Sequence, residues 1–335
     1  MAQATGALTK ITGLTQTALR ALPAEPAAEV LYVQTLDFND NQTIEQDATL
    51  GGGFRGELEG EEGRRDASGS AVVTLGTSIA FWLKHLIGVP ATTDLGTEEA
   101  PGPYQHVFRV SAEQPMPVAQ AIERDFTSRI ATPGRYVRNT DVRIESAAFA
   151  FATTSPYQQV TFNLRGASKR SLPAAPMDAT PADYGHAAFG LAGLSLLLDN
   201  GDTEVCVEST TMNWNNDLDT DLYCLNDGGV RHDLPEGTAQ ITGEGVAQFD
   251  TPALLIKAEA DESLALRLTF TRGTGAGTAG NEQLVFDIPL SKFLAPTPGV
   301  TGPRGLKQNF SWRAYRLGGQ EVAVSVTLKS PRAIV

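Results

Sequence analysis

Two stretches of the 335-residue chain follow the same order of residue types, and this internal similarity restricts the fold more than any other feature. A shift of 176 positions (214 − 38) places Phe38 on Trp214 and Asn39 on Asn215. The same shift aligns "GGFRGELEGEEGRRDASGSAVV", which begins at residue 52, with "GGVRHDLPEGTAQITGEGVAQF", which begins at residue 228. The period is too long for a solenoid or a propeller. We therefore predict one domain that is present twice.

The two copies differ in length towards their ends. Val160 aligns with Val324 at a shift of 164, so the second copy lacks twelve residues (176 − 164) of the variable loop at 117–140. The predicted organisation is an N-terminal arm at 1–28, a first domain at 29–170, a linker at 171–190 and a second domain at 191–335. The linker is rich in Pro and Ala, which favours a semi-extended chain.

The N-terminal arm fits two interpretations. A helix would place its apolar side chains along one face, and a flexible arm that becomes ordered on assembly fits the same residues equally well. The apolar side chains of that helical face are Leu8, Ile11, Leu14, Ala18 and Leu22.

Alternation of polar and apolar residues predicts strands near the end of each copy. In 158–165 and in 322–329 every second residue is apolar, and a further candidate strand precedes each segment across a short turn. Antiparallel hairpins are therefore expected at 141–166 and 306–329. One helix is expected in each copy, at "TSIAFWLKHLIG" (77–88) and "TPALLIKAEADES" (251–263), with Thr77 and Ser78 as N-cap residues of the first.

Composition and motifs give no indication of an enzyme. The net charge of −13 disfavours a general nucleic-acid binder, which neutralises phosphates with Lys and Arg. The alternating acidic residues at 217–221 begin like a calcium loop, but Leu222 and Gly228 stand where such a loop needs Gly and Glu. The glycine-rich segment 273–281 joins two strands instead of a strand and a helix, so it does not fit a phosphate loop. We predict no catalytic, cofactor-binding or metal-ligating residues.

The four histidines share no ligand spacing, and the two cysteines, Cys206 and Cys224, belong to no catalytic motif. Without a recognisable export signal the cysteines are expected to be free, buried thiols. They lie on flanking candidate strands, so a disulfide between them is also compatible with the sequence. No apolar run is long enough to span a bilayer, and no membrane partner is expected.

The ordered segments resemble the tail tube (major tail) proteins of long-tailed bacteriophages. In the first half the resemblance lies in "RGELEGEEGRRDASGSAVVTLGTSIAFWLKHLIG", "GPYQHVFRVSAEQPMPVAQAIERDF" and the ending "YQQVTFNLRG". The second half continues it with "GVAQFDTPALLIKAEA", "LVFDIPLSKF", "TPGVTGPRGLKQNFSWRAY" and "VAVSVTLKS". The resemblance implies an all-β protein with minor α content: two tandem antiparallel β-sandwich or barrel tube domains, each with one flanking helix.

The resemblance also implies a structural role in the virion and no enzymatic activity or cofactor. Rings of six tube domains would close one inner barrel, so a chain with two domains would form a trimeric, pseudo-hexameric ring. Stacked rings would make a conduit for DNA ejection, with tail terminator and tail tip proteins as further partners. Assembly would take place in the bacterial host cytoplasm. Genomic DNA would pass without specific binding, because acidic and neutral polar groups hold phosphates poorly.

The polar faces of the two expected hairpins are the candidate lumen lining. Arg143 and Arg165 share these polar rows and are expected to pair with neighbouring carboxylates. The 117–140 loop and the N-terminal arm are candidate ring-to-ring contacts. The candidate lumen residues are Glu145, Thr161, Asn163, Ser325 and Thr327.

Two other functional classes fit the same sequence. One is a different virion component, such as a tail terminator or a baseplate part, which copy number in purified particles would distinguish. The other is a tandem β-sandwich carbohydrate-binding or adhesin module, which should cluster exposed aromatic side chains on one face.

Overall fold

The structure is a computed structural model that describes residues 5–46, 60–97, 99–111, 113–126, 130, 134–199, 205–300, 305–316 and 323–334. The predicted Gly-Gly-x-Arg element near Arg55 lies outside these ranges. Every strand pair in the described residues is antiparallel, and two short helices flank the strands, so the predicted fold class, all-β with minor α, is confirmed.

The described residues form sixteen strands and two α-helices, named here in chain order. The strands are β1 (Lys10–Gln16), β2 (Glu29–Val30), β3 (Thr35–Glu45), β4 (Glu61–Thr74), β5 (Ala91–Asp94), β6 (Tyr104–Arg109), β7 (Ala119–Asp125), β8 (Tyr136–Ala152), β9 (Gln159–Gly166), β10 (Leu194–Leu198), β11 (Val207–Asn215), β12 (Gln240–Gln248), β13 (Ser263–Thr271), β14 (Gln283–Leu294), β15 (Lys307–Ala314) and β16 (Ser325–Ser330). The helices are α1 (Ala80–Leu86) and α2 (Ala253–Glu259).

Eight strands form a continuous sheet that crosses from the first half of the chain into the second. Their order is β3-β4-β9-β8-β11-β12-β15-β14, and β8 and β11 form the junction between the halves. We call this the eight-stranded sheet. Since period-two alternation runs along its strands, it has one apolar face and one polar face.

The remaining strands form a second layer. β14 reaches both layers, because it pairs with β13 from Gln283 to Lys292 and with β16 from Gln283 to Asp287, and its last four residues, Ser291 to Leu294, pair with β15. β6 pairs with β16, so elements of both halves also meet in this layer. Aromatic side chains fill the space between the layers: Trp82 of α1 stacks on Phe162 at 5.0 Å, and Phe149 meets Phe286 edge-on at 5.2 Å. The hydrophobic core therefore lies behind the apolar face of the eight-stranded sheet.

The two halves share one pairing pattern. The strands β1, β3, β4, β7, β8 and β9 pair with one another in the same order as β10, β11, β12, β13, β14 and β15, and the helix follows the third strand of each set. The register also runs in step. In the first half Phe38 pairs with Gly69 of β4; two residues further along β4, Ala71 pairs with Phe162, which in turn pairs with Ala147. In the second half Trp214 pairs with Ile241 of β12; two residues further along β12, Gly243 pairs with Trp312, which in turn pairs with Phe293.

This pattern corrects parts of the predicted alignment. If Phe38 is kept as the counterpart of Trp214, at the shift of 176, strand pairing matches Gly69 with Ile241, a shift of 172 (241 − 69), and not with Gly245. The hairpin predicted at 306–329 is wrong, because β15 and β16 pair with β14 and not with each other. The structural counterpart of β9 is thus β15 and not β16. Both strands alternate equally well, so periodicity could not separate them.

Several predicted local structures also differ. Residues 10–16 form β1, paired with β7, instead of a helical face. The segment 117–140, predicted as a variable loop, contains β7 itself. Both helices are confirmed, but the hydroxyls of Thr77 and Ser78 do not cap α1. Instead they bind the backbone of Ala187 and the ring of His186.

The predicted linker packs closely along the first half. The backbone N–H of Met177 donates to Glu123, and the N–H of Phe189 donates to the carbonyl of Leu75. Asp178 accepts a hydrogen bond from the N–H of Ala28. Residues 171–190 are therefore an extended strap, held by backbone hydrogen bonds. The domain boundaries themselves stay a prediction.

Candidate functional site: the polar face of the eight-stranded sheet

The polar face of the eight-stranded sheet combines small and neutral side chains from all eight strands. We define it as the exposed or half-buried residues that alternate with the buried core positions. They are Thr35, Asp37, Asn39 and Asn41; Ser68, Ser70, Val72 and Thr74; Gln159, Thr161, Asn163 and Arg165; Ser146, Ala148, Ala150 and Ala152; Ser209, Thr211, Asn213 and Asn215; Gln240, Thr242, Glu244 and Val246; Asn309, Ser311 and Arg313; Lys292 and Leu294.

Cross-strand neighbours on this face are mostly hydroxyl and amide groups. Asn163 of β9 lies opposite Ser70 and Ser146, and its side-chain amide donates to the hydroxyl of Ser146 at 2.8 Å. Thr161 lies opposite Val72 and Ala148. The structure therefore brings these two predicted residues together on one face.

Glu145 occupies a bulge that neutralises a like-charge contact. Arg143 and Arg165 lie directly opposite each other, and the register between β8 and β9 shifts between Ile144 and Ser146. The extra residue, Glu145, pairs with Arg165 at 2.9 Å, and Arg143 pairs with Glu236 at 2.5 Å. The predicted cross-strand pairing with a carboxylate is thus confirmed for Arg165, whereas the partner of Arg143, Glu236, lies in the segment that precedes β12. Such a bulge re-aims a side chain without breaking the sheet.

The face is close to neutral and not acidic as expected. Among the residues named above, two are acidic (Asp37 and Glu244) and three are basic (Arg165, Arg313 and Lys292), and the exposed Lys307 continues the row on β15 as a fourth basic residue. Lys292 is itself paired with Asp261 at 2.9 Å. At one margin Lys307 binds Glu208 at 2.5 Å, and this hydrogen bond holds the pKa of Glu208 below its usual range. The acidic excess of the chain therefore lies elsewhere.

Ser325 and Thr327 lie apart from this face. Both are half-buried residues of β16, in the second layer between β14 and β6. Their prediction depended on a hairpin with β15 that does not exist. Whether they line a lumen stays a prediction, but they do not share a face with Glu145, Thr161 and Asn163.

Three polar-face residues of β11 were not among the predicted site residues, although the sequence carries a signal for them. Thr211, Asn213 and Asn215 alternate with the buried Met212 and Trp214 by the same period of two that predicted β9. The shift of 176 aligns Thr35, Asp37 and Asn39 with these three residues. That alignment also places both sets on the same face.

Within the described ranges, the eight-stranded sheet has two exposed edges, one along β3 and one at the end of β14. β3 pairs with β4 alone, so its outer backbone groups have no strand partner in the described residues. At the opposite end, β14 stops at Leu294, whose side chain is 73% exposed. Exposed strand edges of this length promote pairing with another chain.

Comparison with known families gives one extended match. The family model described as "Phage tail tube protein" matches residues 5–314. A search of curated proteins found no match. In the described part of the chain no helix is long and apolar enough to cross a membrane. Because the family model spans nearly the whole length, the chain belongs to the phage tail tube protein family.

Proposed function

We propose that the protein forms the tail tube of a phage: copies close into rings, and stacked rings make a conduit through which DNA leaves the virion. The observation that carries the proposal is the eight-stranded sheet, with a packed face, a neutral polar face and unpaired edges. Membership of a family of structural tail proteins supports it. The role proposed is structural and not enzymatic, with assembly in the host cytoplasm and further contacts at both tail ends.

The junction between the halves supplies a template for the contact between copies. Within the chain, Trp214 of β11 pairs with Ala147 of β8. The sequence alignment makes Phe38 the counterpart of Trp214, and with this assignment the shared register makes Phe293 the counterpart of Ala147. We infer that Phe38 of one copy pairs with Phe293 of the next.

The side chains at the proposed junction are compatible in size. The internal junction combines one large and one small side chain, Trp214 and Ala147, and the proposed one combines two of intermediate size. All four point to the apolar face and are at most 4% exposed. In this register Leu294, where β14 now ends, would lie opposite Asp37 on the polar face. The same contact would cover the edge of β3.

A trimer follows from the proposed tandem organisation. If the junction between chains repeats the junction within the chain, each ring has pseudo-sixfold symmetry and three chains. Three times eight strands would then enclose the bore, and barrel diameter increases with strand number. The matching strand order of the two halves supports this stoichiometry.

The chemistry of the polar face suits a surface over which DNA slides. Affinity for DNA rises with the number of phosphates that a protein neutralises. On this face Arg165 is already paired with Glu145, and Lys292 with Asp261. Hydroxyls, amides and methyl groups occupy most of the remaining positions, so a passing phosphate meets few cations.

Paired cysteines test the proposed junction. In a background of Cys206→Ser and Cys224→Ser, the changes Asp37→Cys and Leu294→Cys place two thiols on directly opposite residues, at a spacing that a disulfide can bridge. We expect covalent dimers and closed trimers on non-reducing gels of assembled protein. The control pairs Asp37→Cys with Ile256→Cys, which is exposed on α2. Equal cross-linking by the control, or only monomers from samples that contain rings, would contradict the junction.

A further inference from the structure

Three potential metal ligands meet in one surface turn of the second half. The ligand atoms of Cys224, Asp227 and His232 all lie within 4.8 Å of one another. Nδ1 of His232 is 2.9 Å from Oδ2 of Asp227, and Cys224 is exposed and free. This cluster lies outside the polar face and plays no part in the proposed junction.

The turn brings the three residues together through its backbone. The N–H of Asp227 donates to the carbonyl of Cys224 at 3.1 Å, and Gly228 and Gly229 follow with φ angles of 61° and 82°. This left-handed conformation favours glycine and reverses the chain. The N–H of His232 then donates to the carbonyl of Leu222 at 2.8 Å, which fixes the returning segment.

Contacts with the first half hold the turn in place without any ligand. Arg231 is 5% exposed and donates to the carbonyls of Thr220 and Gly166 and to the carboxylate of Asp66. The carbonyl of Gly229 accepts a hydrogen bond from the N–H of Arg65 at 2.9 Å. The donor atoms are therefore preorganised, which lowers the conformational cost of binding an ion.

The donor set indicates which class of ion would bind. A thiolate, a carboxylate and an imidazole suit zinc and similar transition metals, whereas calcium and magnesium prefer oxygen donors alone. Arg20 occupies only Oδ1 of Asp227, at 2.9 Å, and leaves Oδ2 facing His232. Such an outer partner orients a ligating carboxylate in many metal sites.

We propose that Cys224, Asp227 and His232 bind one divalent transition metal ion of the zinc class, with water completing the coordination. Binding replaces the thiol proton of Cys224 and any proton on Nδ1 of His232, and both are released to solvent. The ion would join the two arms of the turn and would share the carboxylate of Asp227 with Arg20, the ion on Oδ2 and the guanidinium on Oδ1.

Cobalt titration of the reduced protein tests the site, and the chain supplies a matched control. Cys206 is also exposed and free, but no metal-ligand cluster of the described residues includes it. We expect the Cys206→Ser variant to give a thiolate-to-cobalt absorption band that saturates at one equivalent and is displaced by zinc. Cys224→Ser should abolish the band, and His232→Ala should weaken cobalt affinity by at least tenfold.

Thermal unfolding provides a second readout. Zinc should raise the melting temperature of Cys206→Ser and leave that of Cys224→Ser unchanged, because only an ion that binds the folded state stabilises it. Equal bands in the two serine variants, or no band at excess cobalt, would overturn the proposal. All three ligands belong to one chain, so the result is independent of ring formation.

Discussion

At the scale of single residues, the core contains a histidine, His85, that is buried in its neutral form. His85 of α1 is 3% exposed, and its Nδ1–H donates to the carbonyl of Phe81 at 2.8 Å. Its other ring nitrogen, Nε2, is buried and has no partner. Burial lowers the pKa of His85 to about 3, so the ring stays neutral in the folded protein at neutral pH.

The pKa of His85 predicts a pH dependence of stability. In the unfolded chain this histidine takes up a proton near pH 6.5, whereas in the folded chain it does so only near pH 3. The free energy of unfolding is therefore unaffected by protonation of this histidine above pH 6.5. As the pH falls from 6.5 towards 3, protonation of the unfolded chain lowers the free energy of unfolding by up to about 1.4 kcal/mol per pH unit.

Urea unfolding of the wild type and of His85→Leu between pH 7 and pH 5 measures this contribution. The wild type should lose more free energy of unfolding than the variant over this interval. A non-titrating change in the same helix supplies the control, since Leu83→Ala removes a buried side chain of α1 and should lower stability while keeping the wild-type slope. Parallel curves for the wild type and His85→Leu would contradict the assignment.

At the scale of elements, glycines in β12 allow two aromatic rings to lie against the eight-stranded sheet. Gly243 lies opposite Trp312 and Gly245 opposite Phe310, and a Cβ on either glycine would overlap the facing ring. Pairing of an aromatic residue with a strand glycine is a known way to stabilise the glycine position. Neither glycine has a positive φ, so the requirement is for space and not for backbone freedom.

The variant Gly243→Ala should therefore be destabilised by about 1–3 kcal/mol, because the added methyl group overpacks the space that Trp312 occupies. Chemical denaturation measures the loss. Gly305→Ala is the control, since nothing lies within 4 Å of a Cβ at Gly305. Equal stability of the two variants would show that β12 does not depend on this packing.

The strap at 171–190 provides a second prediction at this scale. Glu123 is 2% exposed, pairs with Arg138 at 2.7 Å and accepts a hydrogen bond from the N–H of Met177. Glu123→Gln leaves Arg138 without its carboxylate and should cost about 3 kcal/mol.

Limited proteolysis should then cut the strap faster in Glu123→Gln than in the wild type. Glu113→Gln is the matched control, because Glu113 is exposed. Equal cleavage rates in all three proteins would mean that this ion pair does not hold the strap.

The sequence predicted elements better than it predicted their partners. Alternation located β9 and found the polar row of Thr161 and Asn163, because period two depends only on local burial. It could not reveal that β16 pairs with β14 and β6, since β15 and β16 alternate alike and their partners are chosen by packing between layers. The strap looked like a free linker because its bonds to Glu123 and Leu75 use backbone groups, which composition does not report.

At the scale of the whole molecule, the eight-stranded sheet is open at both ends within the described part of one chain, and the proposed junction would cover these ends with other copies. Its eight strands pair through the middle of the chain at β8 and β11, and its ends are β3 and the last residues of β14. If a second chain repeats the internal junction, both edges are covered and the polar face closes around a bore. The two halves then act as equivalent segments of one ring.

The measurement that tests this account most directly is cryo-electron microscopy of the assembled protein, at a resolution that traces strands. We predict rings of three chains, a bore lined by the polar face that contains Thr161 and Asn163, and Phe38 of each chain beside Phe293 of its neighbour. A chain that remains monomeric under every condition would contradict the account. So would a ring whose bore is lined instead by the layer that holds Ser325 and Thr327.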